Sequence, residues 1–261
     1  MTVLGVVFRP QSPPERLREV VVAADQAGVA ELWLWEDCFL EGGLTAAAAA
    51  LAWSERLHVG IGLLPVPLRN PAVVAMEVAT LSRLFPGRFV AGLGHGVQDW
   101  MAQVGAGVDG PMALLREHTT AVRDLLHGRT VDLDGRFIQL AAVTLDWPPA
   151  EIPTLLIGGR GPRTVRLAGE LTDGVLLDSS AGPEDIRRAR ELLAEGRAAA
   201  GREGTGQVTV YTGLDTTAPG LRDRVAERIG VLAEAGADTV VLQAGGDQPD
   251  PTPLIETLAN L

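Results

Sequence analysis

Four polar clusters stand where short apolar runs end. WEDCF sets Glu36, Asp37 and Cys38 behind Glu31 to Trp35, and GLGHG sets Gly94 and His95 behind Phe89 to Leu93. IGGRGPRTVRLAG passes through Gly158, Gly159, Arg160 and Gly161, and VLLDSS ends on Asp178 and Ser179. An imidazole titrates near neutrality, so His95 can shuttle a proton in a pocket or can be a histidine that bonds backbone. A carboxylate beneath loops is costly to bury unpaired, so Asp37 is expected to orient or bond something, while Glu36 can point to the opposite face. Glycines that lead into a helix whose first turns carry Arg160, Arg163 and Arg166 make an anion site, because free N–H groups, the helix dipole and guanidinium donors converge there. A glycine turn with solvated arginines is the other reading. His58 opens an apolar run, and His118 and His127 fall on a helix, where a surface or structural role is expected. No HxH, HExxH or GxSxG occurs, so neither a metal centre nor a serine hydrolase is expected.

The elements that must position these residues follow from the pattern. Eight short apolar runs, at Val3 to Phe8, Glu31 to Trp35, Leu57 to Leu64, Phe89 to Leu93, Thr154 to Ile157, Gly174 to Leu177, Val208 to Thr212 and Thr239 to Leu242, are mostly continuous rather than alternating. That is the signature of parallel strands covered on both faces. Helical stretches separate them: Pro14 to Ala27, Leu44 to Ser54, Pro71 to Phe85, Met112 to Leu126, Arg163 to Glu170, Pro183 to Ala200, Leu221 to Ala235 and Thr252 to Leu261. Eight strand–helix pairs in 261 residues predict an α/β chain folded as one (β/α)8 barrel domain over residues 1–261, whose chemistry lies at the C-terminal strand ends. A long excursion after the fourth strand, to about Pro153, carries a predicted hairpin, TVDLDGRFIQL, with Asp134 and Gly135 at its turn, and is expected over the barrel mouth.

Composition removes further functions. Twenty-two basic against 33 acidic side chains leave a net charge of −11, a field that repels nucleic acid and anionic membranes. All 22 basic residues are arginine, so Schiff-base, pyridoxal-phosphate and P-loop lysine chemistry are excluded. Cys38 is the single cysteine, which forbids an internal disulfide and suits a reducing compartment. With no export signal and no long apolar span, a cytoplasmic, non-membrane protein acting on a small molecule is expected.

The order WEDCF, GIGLLPVPLRNPAVVAMEVATL, LFPGRFVAGLGHG, IGGRGPRTVRLAGELTDGVLL resembles the luciferase-like monooxygenase superfamily, and within it the deazaflavin-dependent oxidoreductases that use coenzyme F420. The resemblance implies a barrel, usually dimeric, that holds F420 or FMN at its mouth and transfers a hydride to or from an organic substrate. It places Asp37 at the end of strand two and Cys38 where sugar-phosphate dehydrogenases of the family have a catalytic histidine. Val97 falls where they have a glutamate, which speaks against that substrate. It implies a non-prolyl cis peptide within Ile61-Gly62-Leu63 behind the ring, with Leu63, Leu64 and Trp35 as an apolar wall. It further implies cofactor contacts at Gly62, Leu63, Gly94, the Gly158 to Gly161 turn, Asp178 and Ser179. His95, Asp37 and Cys38 are then the catalytic candidates, with His95 for the proton. The alternatives are an FMN-dependent monooxygenase, a non-catalytic cofactor-binding barrel and a sugar-phosphate or isomerase barrel.

Overall fold

The computed structural model describes residues 2–246 and 249–261. Its strands are β1 Val3–Phe8, β2 Glu31–Leu34, β3 His58–Pro65, β4 Phe89–Gly94, β5 Val131–Asp134, β6 Gln139–Val143, β7 Thr154–Gly158, β8 Gly174–Leu177, β9 Gln207–Leu214 and β10 Thr239–Ala244. The helices are α1 Leu17–Gln26, α2 Gly43–Ala52, α3 Pro71–Leu84, α4 Gln98–Gln103, α5 Pro111–Leu126, α6 Pro162–Leu171, α7 Pro183–Ala199, α8 Leu221–Glu234 and α9 Thr252–Leu258. Eight strands close a parallel barrel in the order β1-β10-β9-β8-β7-β4-β3-β2, and β5 and β6 form a separate antiparallel pair. Among the described residues no helix is long and apolar enough to cross a membrane.

Each strand feeds two cores because its side chains alternate between two buried faces. Val7, Trp33, Leu156, Leu176, Tyr211 and Val241 pack together as one cluster. A larger cluster, with Leu34, Leu51, Ile61, Val78 and Leu93 among its members, fills the space between sheet and helices. The inner ring is tight: a Cβ on Gly60 would lie 2.6 Å from the Trp33 ring, so β3 carries glycine where the indole crosses it.

Helix boundaries follow local chemistry. Asn70 caps α3 by accepting from the Ala72 N–H at 2.9 Å, with Pro71 at the first helical position. Gly28, after α1, sits at φ +74°, the left-handed conformation that glycine adopts without a Cβ penalty.

The excursion departs from expectation in two ways. It contains α4, whose six residues are too few to show periodicity. Its hairpin does not cover the mouth: Glu117 on α5 accepts from the backbone N–H groups of Arg136, Phe137 and Ile138 at 2.8 to 3.0 Å, which fastens the turn to that helix. The turn is a four-residue connection closed by Gly135 N–H to Ile138 O at 2.9 Å, instead of a two-residue Asp-Gly turn.

Candidate active site

At the end of β2, neighbouring carboxylates have different fates. Glu36 accepts from Gly43 N–H at 2.8 Å, in the first turn of α2, and takes both terminal nitrogens of Arg69, one at 2.7 Å. Its charge is spent, although it still lines the mouth and does not turn to the opposite face. Asp37 makes no such side-chain bonds among the described residues. Burial raises its pKa above the ordinary carboxylate range, and the Arg9 guanidinium pulls the other way. Arg9 is anchored by donating to the carbonyls of Ala244 and Gly246, both at 3.1 Å, and lies over the Trp35 ring.

Cys38 is not brought to the cavity. Burial and then the carboxylates of Glu36 and Asp37 raise its thiol pKa, with Arg69 opposing, so it is neither placed nor activated as an acid or nucleophile.

β3 supplies the wall. The Gly62–Leu63 peptide is cis, in the expected place. A Cβ on Gly62 would meet the Tyr211 hydroxyl at 2.1 Å and Leu176 at 2.4 Å, and none fits. The Leu63 side chain rests where a Cβ on Gly94 or on Gly158 would come within 2.4 Å of it. Gly94 therefore acts from behind, by making room for Leu63, and does not itself line the mouth. Leu64, expected in the same wall, is 1% exposed in the outer core, because adjacent strand residues face opposite ways.

His95 follows β4 and faces the cavity. Its Nε2 lies 3.4 Å from the hydroxyl of Thr164, in the first turn of α6. Burial lowers its pKa below the ordinary imidazole value, against the Pro111 carbonyl, which favours the charged ring. Val97 and Trp100, leading into and on α4, form the adjoining rim.

The glycine turn after β7 keeps part of its expected role. Gly158 and Gly159 line the cavity, and Gly159 has φ +149°, with Thr164 Cγ2 only 2.9 Å from a would-be Cβ. Gly161 stands one step outside as the N-cap of α6. Arg160, itself exposed, pairs with Asp178 at 3.0 Å, Arg163 is exposed, and Arg166 bonds Glu195 at 2.6 Å. The three arginines therefore do not converge on one anion.

The result is one cavity of about 500 Å³ at the C-terminal mouth. It unites Asp37, Gly62, Leu63, His95, Gly158, Gly159, Asp178 and Ser179 and leaves out Cys38, Gly94, Arg160 and Gly161. Tyr211, Gln243, Leu176 and Trp100 also line it. Gln243 lies at a strand end, where such residues are expected, and its Oε1 is buried without a partner. Tyr211, the single tyrosine, has only inward parity to mark it. Among the other histidines, His58 opens β3 at the far end of the barrel. His118 is wholly buried with Nε2 3.2 Å from the Arg69 carbonyl, so its role is structural and not at the surface.

Known proteins bear on this geometry. The family model for luciferase-like monooxygenase matches residues 3–228. A 5,10-methylenetetrahydromethanopterin reductase of Methanolobus tindarius is 27% identical over 94% of this chain and 75% of its own. An F420-dependent glucose-6-phosphate dehydrogenase of Mycolicibacterium fortuitum is 33% identical over 74% of this chain and 62% of its own. Among solved structures, an F420-dependent secondary alcohol dehydrogenase in complex with an F420–acetone adduct superposes with TM-score 0.87 at 18% identity, covering 99% of this chain and 97% of that one. The oxygenating constituent of 3,6-diketocamphane monooxygenase from Pseudomonas putida, in complex with FMN, gives 0.79 at 18% identity, covering 99% and 96%. These structural likenesses show the fold, and both kinds of ring are found on it. With its model matched over most of the sequence and a barrel mouth built from the motifs that carry the resemblance, the chain belongs to the luciferase-like monooxygenase family.

Proposed function

We propose that this protein is an F420-dependent oxidoreductase that transfers a hydride between the deazaflavin and a small organic substrate. The carrying observation is the convergence of His95 and Asp37 on one apolar cavity, with burial moving the imidazole pKa down and the carboxyl pKa up. Shifts of this kind bring an acid and a base towards a common working pH.

The residues present fit a flat tricyclic ring. Leu63, seated in a cradle where Gly94 and Gly158 have no room for a Cβ, offers an apolar backing, and Tyr211 and Leu176 fill beneath it. The unpartnered Oε1 of Gln243 is a polar group whose burial calls for a donor. Gly159 and Ser179 offer polar pins at the α6 side. A bound deazaflavin supplies two-electron hydride chemistry.

The chain's own residues do the rest. The wall excludes water, which strengthens the polar contacts inside. Asp37, with the Arg9 guanidinium favouring its charged form, orients the substrate. His95 takes or gives the accompanying proton, and the Thr164 hydroxyl, 3.4 Å from Nε2, orients the ring.

Titration of the purified protein with F420 and with FMN, followed by absorbance, tests the cofactor. Saturable F420 binding is expected, weakened about tenfold or more by Gly159→Val, because a β-branched side chain fits neither the φ of +149° nor the space beside Thr164. Saturable FMN binding with no F420 binding would falsify the assignment.

A further inference from the structure

The mouth is lined by carboxylates and by no guanidinium. Glu36, Asp37 and Asp178 line it, and among the described residues none of the 22 arginines does, in a chain without lysine. Each carboxylate has an arginine near it, and each of those arginines is engaged. Arg69 holds Glu36, Arg160 holds Asp178 at 3.0 Å, and Arg9 donates to the carbonyls of Ala244 and Gly246 while facing Asp37. The one other side chain in the lining that could carry positive charge, His95, is partly buried, and burial disfavours its charged form. The remaining surface is Trp35, Leu63, Pro65, Val97, Trp100 and Tyr211. An anionic group brought here would lose its hydration and find no guanidinium in the lining to replace it.

Resting on the family reading above, we propose that the substrate which shares this cavity with the cofactor is an uncharged, predominantly apolar organic molecule, and that phosphate esters and carboxylates are rejected from it. Selection is by absence: without a free guanidinium in the lining, no donor fork compensates a phosphate or carboxylate, whereas apolar area is rewarded against the two indoles and Leu63. The arginines at the start of α6, Arg160 and Arg163, lie outside the lining, where they do not serve a substrate at the ring.

Two dyes that differ by one charged group separate the alternatives without any cofactor: neutral N-phenylnaphthylamine and its sulfonated counterpart, anilinonaphthalenesulfonate. Fluorescence titration of the full chain is expected to give saturable binding of the neutral dye, about tenfold or more tighter than the sulfonated one. Trp100→Ala should weaken it. Trp147→Ala should not, although Trp147 is 71% exposed beside the second apolar groove, between α3 and residues 143–147, where Arg83 could hold a sulfonate. Val97→Arg, at a rim position 46% exposed, should put a cation into the lining and reverse the preference. Equal or tighter binding of the sulfonated dye to the unaltered protein, binding of neither, or dependence on Trp147 in place of Trp100 overturns the inference. F420 titration of the same samples keeps the two readings apart. Deazaflavin binding with a preference for the sulfonated dye breaks only the substrate class, and the neutral preference without deazaflavin binding breaks only the cofactor.

Discussion

The two ends of the barrel are furnished with the same residue types and put to different use. At the base, Glu31 accepts from the Trp33 indole N–H at 2.7 Å, is 8% exposed, and stands two residues before that tryptophan on β2. At the mouth, Asp37 stands two residues after Trp35 and lacks such a donor. Tyr211 lies between, 5.8 Å from the Trp33 ring centroid and 5.6 Å from that of Trp35. Burial raises the pKa of both carboxyls. The base carboxyl is satisfied within its own strand and faces a small hollow of about 330 Å³ shared with His58. The mouth carboxyl faces the larger cavity with a histidine across it. Residue type and burial are therefore shared by both ends. An unspent partner facing an accessible cavity is what distinguishes a site from a support.

The largest expected effect breaks the mouth. His95→Gln should lower single-turnover hydride transfer by about 10² to 10⁴ at saturating cofactor, the usual span for a lost acid or base. In the direction in which His95 takes the proton, the unaltered enzyme should keep its rate as pH falls through the ordinary imidazole range, because burial lowers the pKa of the ring, and lose it only at more acidic pH. Stopped-flow kinetics over a pH series checks both. A variant with the parental rate and profile removes His95 from proton transfer.

A second experiment concerns the other buried histidine. Burial lowers the pKa of His118 to about 4, with the Arg69 carbonyl pulling upward. The unfolded chain binds this proton at ordinary imidazole pH and the folded chain does not, so stability falls as pH drops from about 6.5 towards 4. Integrated over that window, the group withdraws about 3 kcal/mol. Denaturant unfolding of the protein and of His118→Gln should show the difference between them narrowing or reversing on acidification. A constant difference would place the acid sensitivity elsewhere.

The smallest effect sharpens the base. Glu31→Gln keeps an oxygen for the Trp33 N–H and removes the titration. A carboxyl whose folded pKa is raised stabilises at pH below its unfolded value and loses that contribution as pH rises through the folded one. The variant should thus lack this part of the decline in stability as pH rises above the ordinary carboxylate range. Its hydride-transfer rate should match the parent's. A rate loss comparable with that of His95→Gln would make the base part of the catalytic apparatus.

Much of the frame was legible in the residues. Continuous Val, Leu and Ile runs placed all eight barrel strands to within two residues at each end, because a strand buried on both faces has no polar face to blur the pattern. The strand-end rule brought Asp37, His95, Gly158 and Asp178 to one mouth. Cys38, Gly94, Arg160 and Gly161, read from the same motifs, do not line that mouth. The rule missed Tyr211 and Trp100. Tyr211 sits within a strand, and Trp100 sits on a helix too short to announce itself.

The sequence alone determined the barrel, the lysine-free charge inventory and the order in which polar clusters meet the mouth, because periodicity and composition are properties of the chain. Only the tertiary structure decided which carboxylate is spent. Glu36 and Asp37 are neighbours, yet Arg69 from the segment after β3 and Gly43 of α2 close on the first, and the second is left with Arg9 behind Trp35. It likewise decided that Gly94 and Gly158 are there to seat Leu63, and that the hairpin is tied to α5 by Glu117 instead of covering the mouth. Partners of this kind come from residues far apart in the chain, and local spacing carries no record of where a guanidinium or a backbone N–H from another element will arrive.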